Sequence, residues 1–223
     1  MTFDFTQLIY RKKDAFTKDE CKFLIEEHAR LNDNDVLEHC PDANTGEDTY
    51  STFKRASLVE GTEAYKLVFR ANEQLINEYM DYLDSFGMFH MAIRETMKFS
   101  HMYRLLKYET GAKIHPHSDH IPFVYGSATF NLNDEYTGGD FSFWNGKYKV
   151  KLAAGEAMIW PADYFWVHEV EPITSGTRYA TNSFLLSIPQ PAIDGIIKLM
   201  MKEENNPAYQ ELVRRTSYRI KNT

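Results

Sequence analysis

Two stretches early in the chain carry apolar residues at helical spacing. In residues 17–31 the stripe is Cys21, Leu24, Ile25 and His28, at i, i+3, i+4 and i+7. Thr17 and Glu20 supply a capping box at its start, and Phe16 stands where a hydrophobic staple would hold Cys21. After Thr62 a longer face runs through Val68, Ala71, Leu75, Tyr79, Tyr82 and Phe86, which predicts a second helix. Residues 32–52 between them are polar, with Asp, Asn, Pro and Gly, and read as a loop.

Beyond Met97 the pattern shortens to runs of β-branched and aromatic residues. They are broken by turn signals at Thr110-Gly111, Thr137-Gly138-Gly139, Asn145-Gly146, Ala154-Gly155 and Ser175-Gly176. Turns this close together predict an all-β sandwich or barrel rather than alternating strands and helices. Strands are expected near 99–108, 113–119, 126–132, 140–144, 147–152, 156–160, 166–170 and 178–187. Eight strands fit a jelly-roll, or double-stranded β-helix. Past Pro189 and Pro191 helical spacing returns, over 193–202 and again from Asn206-Pro207 through Tyr218. The chain therefore reads as mainly β with flanking helices, one domain over 1–223. Residues 1–96 are helical support, 97–189 the barrel core and 190–223 C-terminal helices.

Composition narrows the chemistry. The 25 basic and 32 acidic residues leave a net charge of −7, without the sustained basic tract that nucleic-acid binding needs to replace counterions. Only Cys21 and Cys40 are present, which excludes a disulfide scaffold, a four-thiolate zinc site and a cysteine-ligated iron-sulfur cluster. A metal here would rest on His and carboxylate. No window approaches the roughly 18 apolar residues of a membrane span, so the expectation is a soluble cytoplasmic protein with no membrane partner. The sequence sets no oligomeric state.

His117-Ser118-Asp119 is the one His-x-Asp in the chain. In a strand, residues i and i+2 share a face, so both side chains can enter one barrel mouth. His168 follows 49 residues after Asp119 at another predicted strand. Two His and one carboxylate form the facial triad that holds non-haem Fe(II) with open positions. Taken alone, the same residues also allow Zn²⁺ or Mn²⁺, or a structural His with its carboxylate. Arg178 comes ten residues after His168. An inward Arg is costly to bury unpaired, and its planar fork suits a carboxylate. At an outer strand edge it would instead pair with Glu169 or Glu171. His115 and His120 flank the triad and read as surface or loop residues.

The order Tyr108-x-x-Gly111, His117-x-Asp119, Phe130-Asn131-Leu132-Asn133, Gly138-Gly139, Gly155, Trp160-Pro161 and His168-x-x-x-Pro172-x-x-x-Gly176-x-Arg178 resembles the Fe(II)- and 2-oxoglutarate-dependent oxygenases of the prolyl 4-hydroxylase type. The segment Phe16-Thr17-Lys18-Asp19-Glu20-Cys21 is similar to the first helix of those enzymes. The resemblance covers residues 16–31 and about 99–188.

It implies that His117, Asp119 and His168 ligate iron, that Arg178 grips the distal carboxylate of 2-oxoglutarate, and that Tyr108 lines the same pocket with Phe141, Val170 and Phe184. Where family members often carry a Tyr on the third strand, this chain has Asn131, whose amide could donate to that carboxylate. The implied cofactors are Fe(II), 2-oxoglutarate and O2, with ascorbate as a possible reductant. The implied reaction is hydroxylation of a carbon-hydrogen bond, first of all in a prolyl residue of a peptide or protein. Alternatives are a free amino acid or small metabolite as substrate, or a cupin-like module that binds metal without turnover.

Overall fold

A computed structural model describes residues 4–31, 35–87, 90–119 and 123–216. The strands before the barrel motifs are β1 (Tyr10–Lys12), β2 (Asp35–His39) and β3 (Tyr50–Ser57). Those that follow are β4 (Phe99–Tyr108), β5 (Ile114–His117), β6 (Val124–Asn131), β7 (Tyr136–Gly138), β8 (Phe141–Phe143), β9 (Tyr148–Val150), β10 (Ala157–Pro161), β11 (His168–Val170), β12 (Ile173–Gly176) and β13 (Arg178–Leu186). The helices are α1 (Lys18–Leu31), α2 (Glu63–Asp84), α3 (His90–Thr96), α4 (Gln190–Glu203) and α5 (Pro207–Thr216). They fall into two compact units, Met1–Ser187 and Ile188–Thr223.

In the first unit a seven-stranded sheet runs in the order β1-β10-β6-β13-β4-β3-β2 and a four-stranded sheet in the order β5-β11-β8-β9, with β12 and β7 as a separate pair. The strand pairs are antiparallel. This is the expected double-stranded β-helix, and its interior is the space where the inner faces of the two larger sheets meet. Phe141, Phe143, Trp160, Trp166 and Val170 are buried there. Against the outer face of the large sheet, Val68, Ala71, Leu75 and Tyr79 of α2 join Leu24 of α1 and Leu105, Phe130 and Leu185 in a second core.

Both helix starts follow the sequence. Thr17 and Glu20 form the capping box, with Thr17 N–H donating to Glu20 Oε2 at 2.9 Å and Glu20 N–H to Thr17 Oγ1 at 3.2 Å. Thr62 caps α2 by accepting from the Tyr65 N–H. Of the apolar face read beyond Thr62, Phe86 lies past the helix end and is exposed.

The polar stretch 32–52 departs from its loop reading. It contains β2 and the start of β3, which extend the large sheet beyond β4, while β1 extends the opposite edge. Short, charged strands such as Asp-Val-Leu-Glu-His suit a sheet edge, where hydrophobic alternation is not required and charge discourages pairing with another chain. The region before residue 97 therefore supplies three strands as well as helices. The residues read as turns around Gly138 and Gly176 likewise pair as β7 and β12.

The second unit consists of α4 and α5. Pro191 lies in the first turn of α4, and Pro207 opens α5, where the Asn206 side chain accepts from the Ala208 N–H. Tyr218 lies outside the described residues. No helix among the described residues is long and apolar enough to cross a membrane.

Candidate active site

His117 ends β5 and lies directly opposite His168 of β11, so strand pairing alone brings the two rings together, 4.4 Å apart at their centroids. Asp119 follows two residues later and turns its carboxylate between them. Its Oδ1 is 3.4 Å from His117 Nε2 and its Oδ2 is 3.6 Å from His168 Nε2. One ligand atom from each of the three lies within 4.8 Å of the others.

The outer nitrogens are also fixed. His117 Nδ1 is 2.8 Å from the His115 carbonyl and His168 Nδ1 is 2.9 Å from the Trp166 carbonyl. A carbonyl only accepts, so each Nδ1 carries hydrogen and each Nε2 faces the common centre, the orientation that metal-ligating His takes from its outer partner. Ser127 on β6 donates to Asp119 Oδ2 at 2.6 Å, which ties the triad to the large sheet.

Electrostatics follow the same arrangement. Burial pushes His168 down to about 4, against the pull of Asp119, so this ring is neutral and able to bind a cation. Burial also works to raise Asp119, but His168, His117 and the Ser127 hydroxyl overcome it and hold the carboxyl well below the usual carboxylate range. The result is an ionised carboxylate beside imidazole nitrogen, a donor set suited to a divalent first-row metal.

Arg178 opens β13, opposite Tyr108, and only 2% of it is exposed. Its guanidinium lies 5.0 Å from the Tyr108 ring centroid and 5.3 Å from that of Phe141. Nε donates to Asn131 Oδ1 at 3.2 Å. Nη1 is buried with no hydrogen-bond partner. A guanidinium in this state is costly unless an anion completes it, and a planar fork between aromatic faces matches a carboxylate. The donor set and this orphaned N–H together fit Fe(II) and 2-oxoglutarate.

Asn131 has a different task from the one its position suggests. Its amide nitrogen donates to the carbonyls of Asn133 and Leu152 at 2.7 and 2.9 Å, while Oδ1 also accepts from the Tyr136 hydroxyl. With both amide hydrogens engaged on backbone, it orients Arg178 rather than offering a donor to a ligand. Among the pocket positions, Tyr108, Phe141, Val170 and Phe184 are buried, and all four line a cavity of about 850 Å³ that also reaches the triad. His115 turns toward Asp42, 3.9 Å away. His120 lies outside the described residues.

Ser127 escapes the sequence reading, and Trp160 enters it only as part of a motif, with no role at the site. Trp160 also lines the cavity, its ring 5.1 Å from His168. The available signal was Ser127, Thr129 and Asn131 at every second position of one strand, small polar groups all directed to one face.

Residues 103–186 match the family model of the 2OG-Fe(II) oxygenase superfamily. A PKHD-type hydroxylase of Delftia acidovorans is 36% identical over 92 residues, 35% of this chain and 40% of that protein. The chain spans 34–40% of the length of the first curated relatives it matches. Among solved structures, a Pseudomonas putida prolyl-4-hydroxylase aligns with a TM-score of 0.61 at 16% identity, covering 82% of this chain and 94% of that one. A Trichoplax adhaerens prolyl hydroxylase, in complex with a hypoxia inducible factor peptide fragment, aligns with a TM-score of 0.60 at 10% identity, covering 82% and 84%. Residues 103–186 are thus similar to the 2OG-Fe(II) oxygenase superfamily, and the chain shares its double-stranded β-helix fold with these prolyl hydroxylases.

Proposed function

We propose that this protein is a non-haem Fe(II) dioxygenase that couples decarboxylation of 2-oxoglutarate to hydroxylation of a carbon-hydrogen bond, in a prolyl residue of a peptide or protein. The overall conversion consumes 2-oxoglutarate and O2 and yields succinate and CO2; one oxygen atom enters succinate and the other the substrate hydroxyl. The observation that carries this reading is the pairing, within one interior, of the His117-Asp119-His168 cluster with the orphaned Arg178 guanidinium. A module that only bound metal would have no use for a buried, incompletely paired Arg.

His117, Asp119 and His168 would hold the iron, which with 2-oxoglutarate supplies the oxidising chemistry when bound. The chain's own residues do the positioning. Arg178 would grip the distal carboxylate, steadied by Asn131 and by the Tyr108 and Phe141 rings. Phe141, Phe143 and Trp160 surround His168 and keep water from the reacting centre. The prolyl assignment is supported by the prolyl hydroxylases on the same fold, one of them with a bound peptide. Cys21 and Cys40 are buried free thiols, which suit a reducing compartment, so the proposed place of action is the cytoplasm. Ascorbate is an optional reductant in this scheme.

Fe(II) and 2-oxoglutarate added without oxygen should give a visible charge-transfer band, and oxygen should then release succinate. Proline-containing peptides should raise that release and gain the mass of one oxygen atom. Absence of both band and succinate, with metal content unchanged in His168→Ala, overturns the oxygenase reading.

A further inference from the structure

Strand β4 carries a bulge where it passes the triad. Arg104 lies opposite Asn182 of β13 and His101 opposite Phe184, so Met102 and Tyr103 together answer a single residue, Ser183. The backbone at Met102 has a φ of +59°. This left-handed conformation is disfavoured for a residue with a side chain, and Gly and Asn are its ordinary occupants. Met102 is also 44% exposed.

Strand register places the bulge. Phe184 pairs with Ser127, and Ser127 with Trp160. Ser127 holds Asp119, and Trp160 lies against His168. The row His101, Phe184, Ser127 and Trp160 thus crosses four neighbouring strands at the height of the triad. The extra residue on β4 reverses its alternation there, so that His101 and Met102 both line the cavity that reaches the triad.

The bulge is held from behind. Tyr103 packs its ring 5.0 Å from that of Tyr65 on α2, bonds through its hydroxyl to Ser100, and accepts at its carbonyl from the Leu58 N–H at 3.0 Å. These contacts fix the backbone, and none of them calls for a methionine beside Tyr103. A half-exposed apolar side chain on strained backbone returns little to stability, and Asn or Gly would relieve the strain. What methionine adds is a flexible, polarisable thioether suited to an apolar ligand. Bulges next to active sites re-aim side chains in this way.

We propose that Met102 is a specificity-determining residue of the substrate channel, its thioether packing on the apolar ring of a prolyl residue that flanks the one hydroxylated. Phe184 stands in the row itself and is buried, next to the reacting centre, whereas Met102 at the exposed lip meets the following part of the peptide. This deepens the hydroxylase reading and rests on it.

The test uses the full chain loaded with Mn(II) and 2-oxoglutarate, so that no turnover intervenes, and two peptides, acetyl-Pro-Pro-Pro-amide and acetyl-Gly-Pro-Gly-amide. By calorimetry the first should bind about fourfold more tightly or better, the scale of one methylene group taken out of water. Met102→Asn and Met102→Gly both suit the left-handed backbone. Each should bring the ratio close to one, leave Mn(II) and 2-oxoglutarate affinity unchanged, and keep a denaturant midpoint at least as high as that of the parent chain. Brief peroxide treatment reads the contact directly. Met102 sulfoxide, located by peptide mapping, should form in the free protein and fall about fivefold or more when the triproline peptide saturates it. Met200 and Met201, 52% and 66% exposed, serve as references whose oxidation should not change.

Equal binding of the two peptides, an undiminished ratio in the variants, or Met102 oxidised as fast with the peptide as without it overturns the assignment. A lower midpoint in both variants would show that the side chain supports the bulge instead, and overturns it equally. Succinate release from the Fe(II) protein reads the hydroxylase assignment separately: its absence beside an intact peptide ratio and Met102 protection overturns the activity and not the contact.

Discussion

Single hydrogen bonds decide how this site is held. The hydroxyl of Ser127, a residue 3% exposed, gives Asp119 a neutral donor, and without it Oδ2 can rotate away from His168. Outer partners of metal ligands are commonly worth about 10- to 100-fold in metal affinity. Ser127→Ala should therefore weaken Fe(II) or Mn(II) binding by roughly that factor while leaving the fold intact, as titration under anaerobic conditions would show. Arg178 is the other decisive residue. Lys in its place keeps the charge but loses the planar fork, the stacking on Tyr108 and Phe141 and the bond to Asn131. Losing one hydrogen bond to a charged group costs about 1.5–3 kcal/mol, so Arg178→Lys is expected to lower 2-oxoglutarate affinity by about 10- to 150-fold. Metal affinity measured in the absence of 2-oxoglutarate should be unchanged, and a parallel fall in both would show that Arg178 holds the triad instead.

Between elements, the turn before β10 joins the first helix to the cofactor end of the barrel. Gly155 accepts from the Phe16 N–H at 3.1 Å and donates to the Asn131 carbonyl at 2.8 Å. Its φ is +76°, and a Cβ at this position would come within 2.3 Å of the Phe16 carbonyl oxygen. Gly155→Ala combines left-handed backbone strain with that collision. It should cost about 1–3 kcal/mol or more, read as a lower denaturant midpoint with an unchanged slope.

The sequence made much of this level legible, for identifiable reasons. The long strands β4 and β13 show because nearly every position in their C-terminal halves is buried, and α1 and α2 show because their caps are local. The His117-Asp119-His168 cluster was within reach of the sequence because two of its members sit two residues apart at the end of one strand. By contrast, β1 and β2 are short edge strands and β3 beside β2 is polar and charged, with β1 held by partners up to 149 positions away, which no local pattern records. Ser127 and Asp119 meet across eight residues, and the engagement of both Asn131 amide hydrogens depends on the Leu152 carbonyl 21 residues on. Such long-range pairs become readable only once strand register is known.

At the scale of the whole barrel, the triad is a point where polar side chains of its two sheets are joined. His117 and His168 belong to the small sheet, while Asp119 is held by Ser127 of the large one. A metal bound there connects both sheets, and 2-oxoglutarate would add a second connection from the metal to Arg178 on β13. A ligand that binds only the folded state stabilises it by about 2.7 kcal/mol at one hundred times its dissociation constant. For a chain of this size that corresponds to a melting-temperature rise of about 5–11 °C.

Mn(II) at that concentration should therefore raise the melting temperature by this amount, and 2-oxoglutarate should add a further rise only when metal is present. The variants separate the two connections. His168→Ala should lose both increments, because 2-oxoglutarate then lacks its metal anchor. Arg178→Lys should keep the metal increment and lose most of the second. If 2-oxoglutarate stabilised the metal-free protein as strongly as the metal-loaded one, Arg178 alone would be the anchor, and the two sheets would not be coupled through the cofactor.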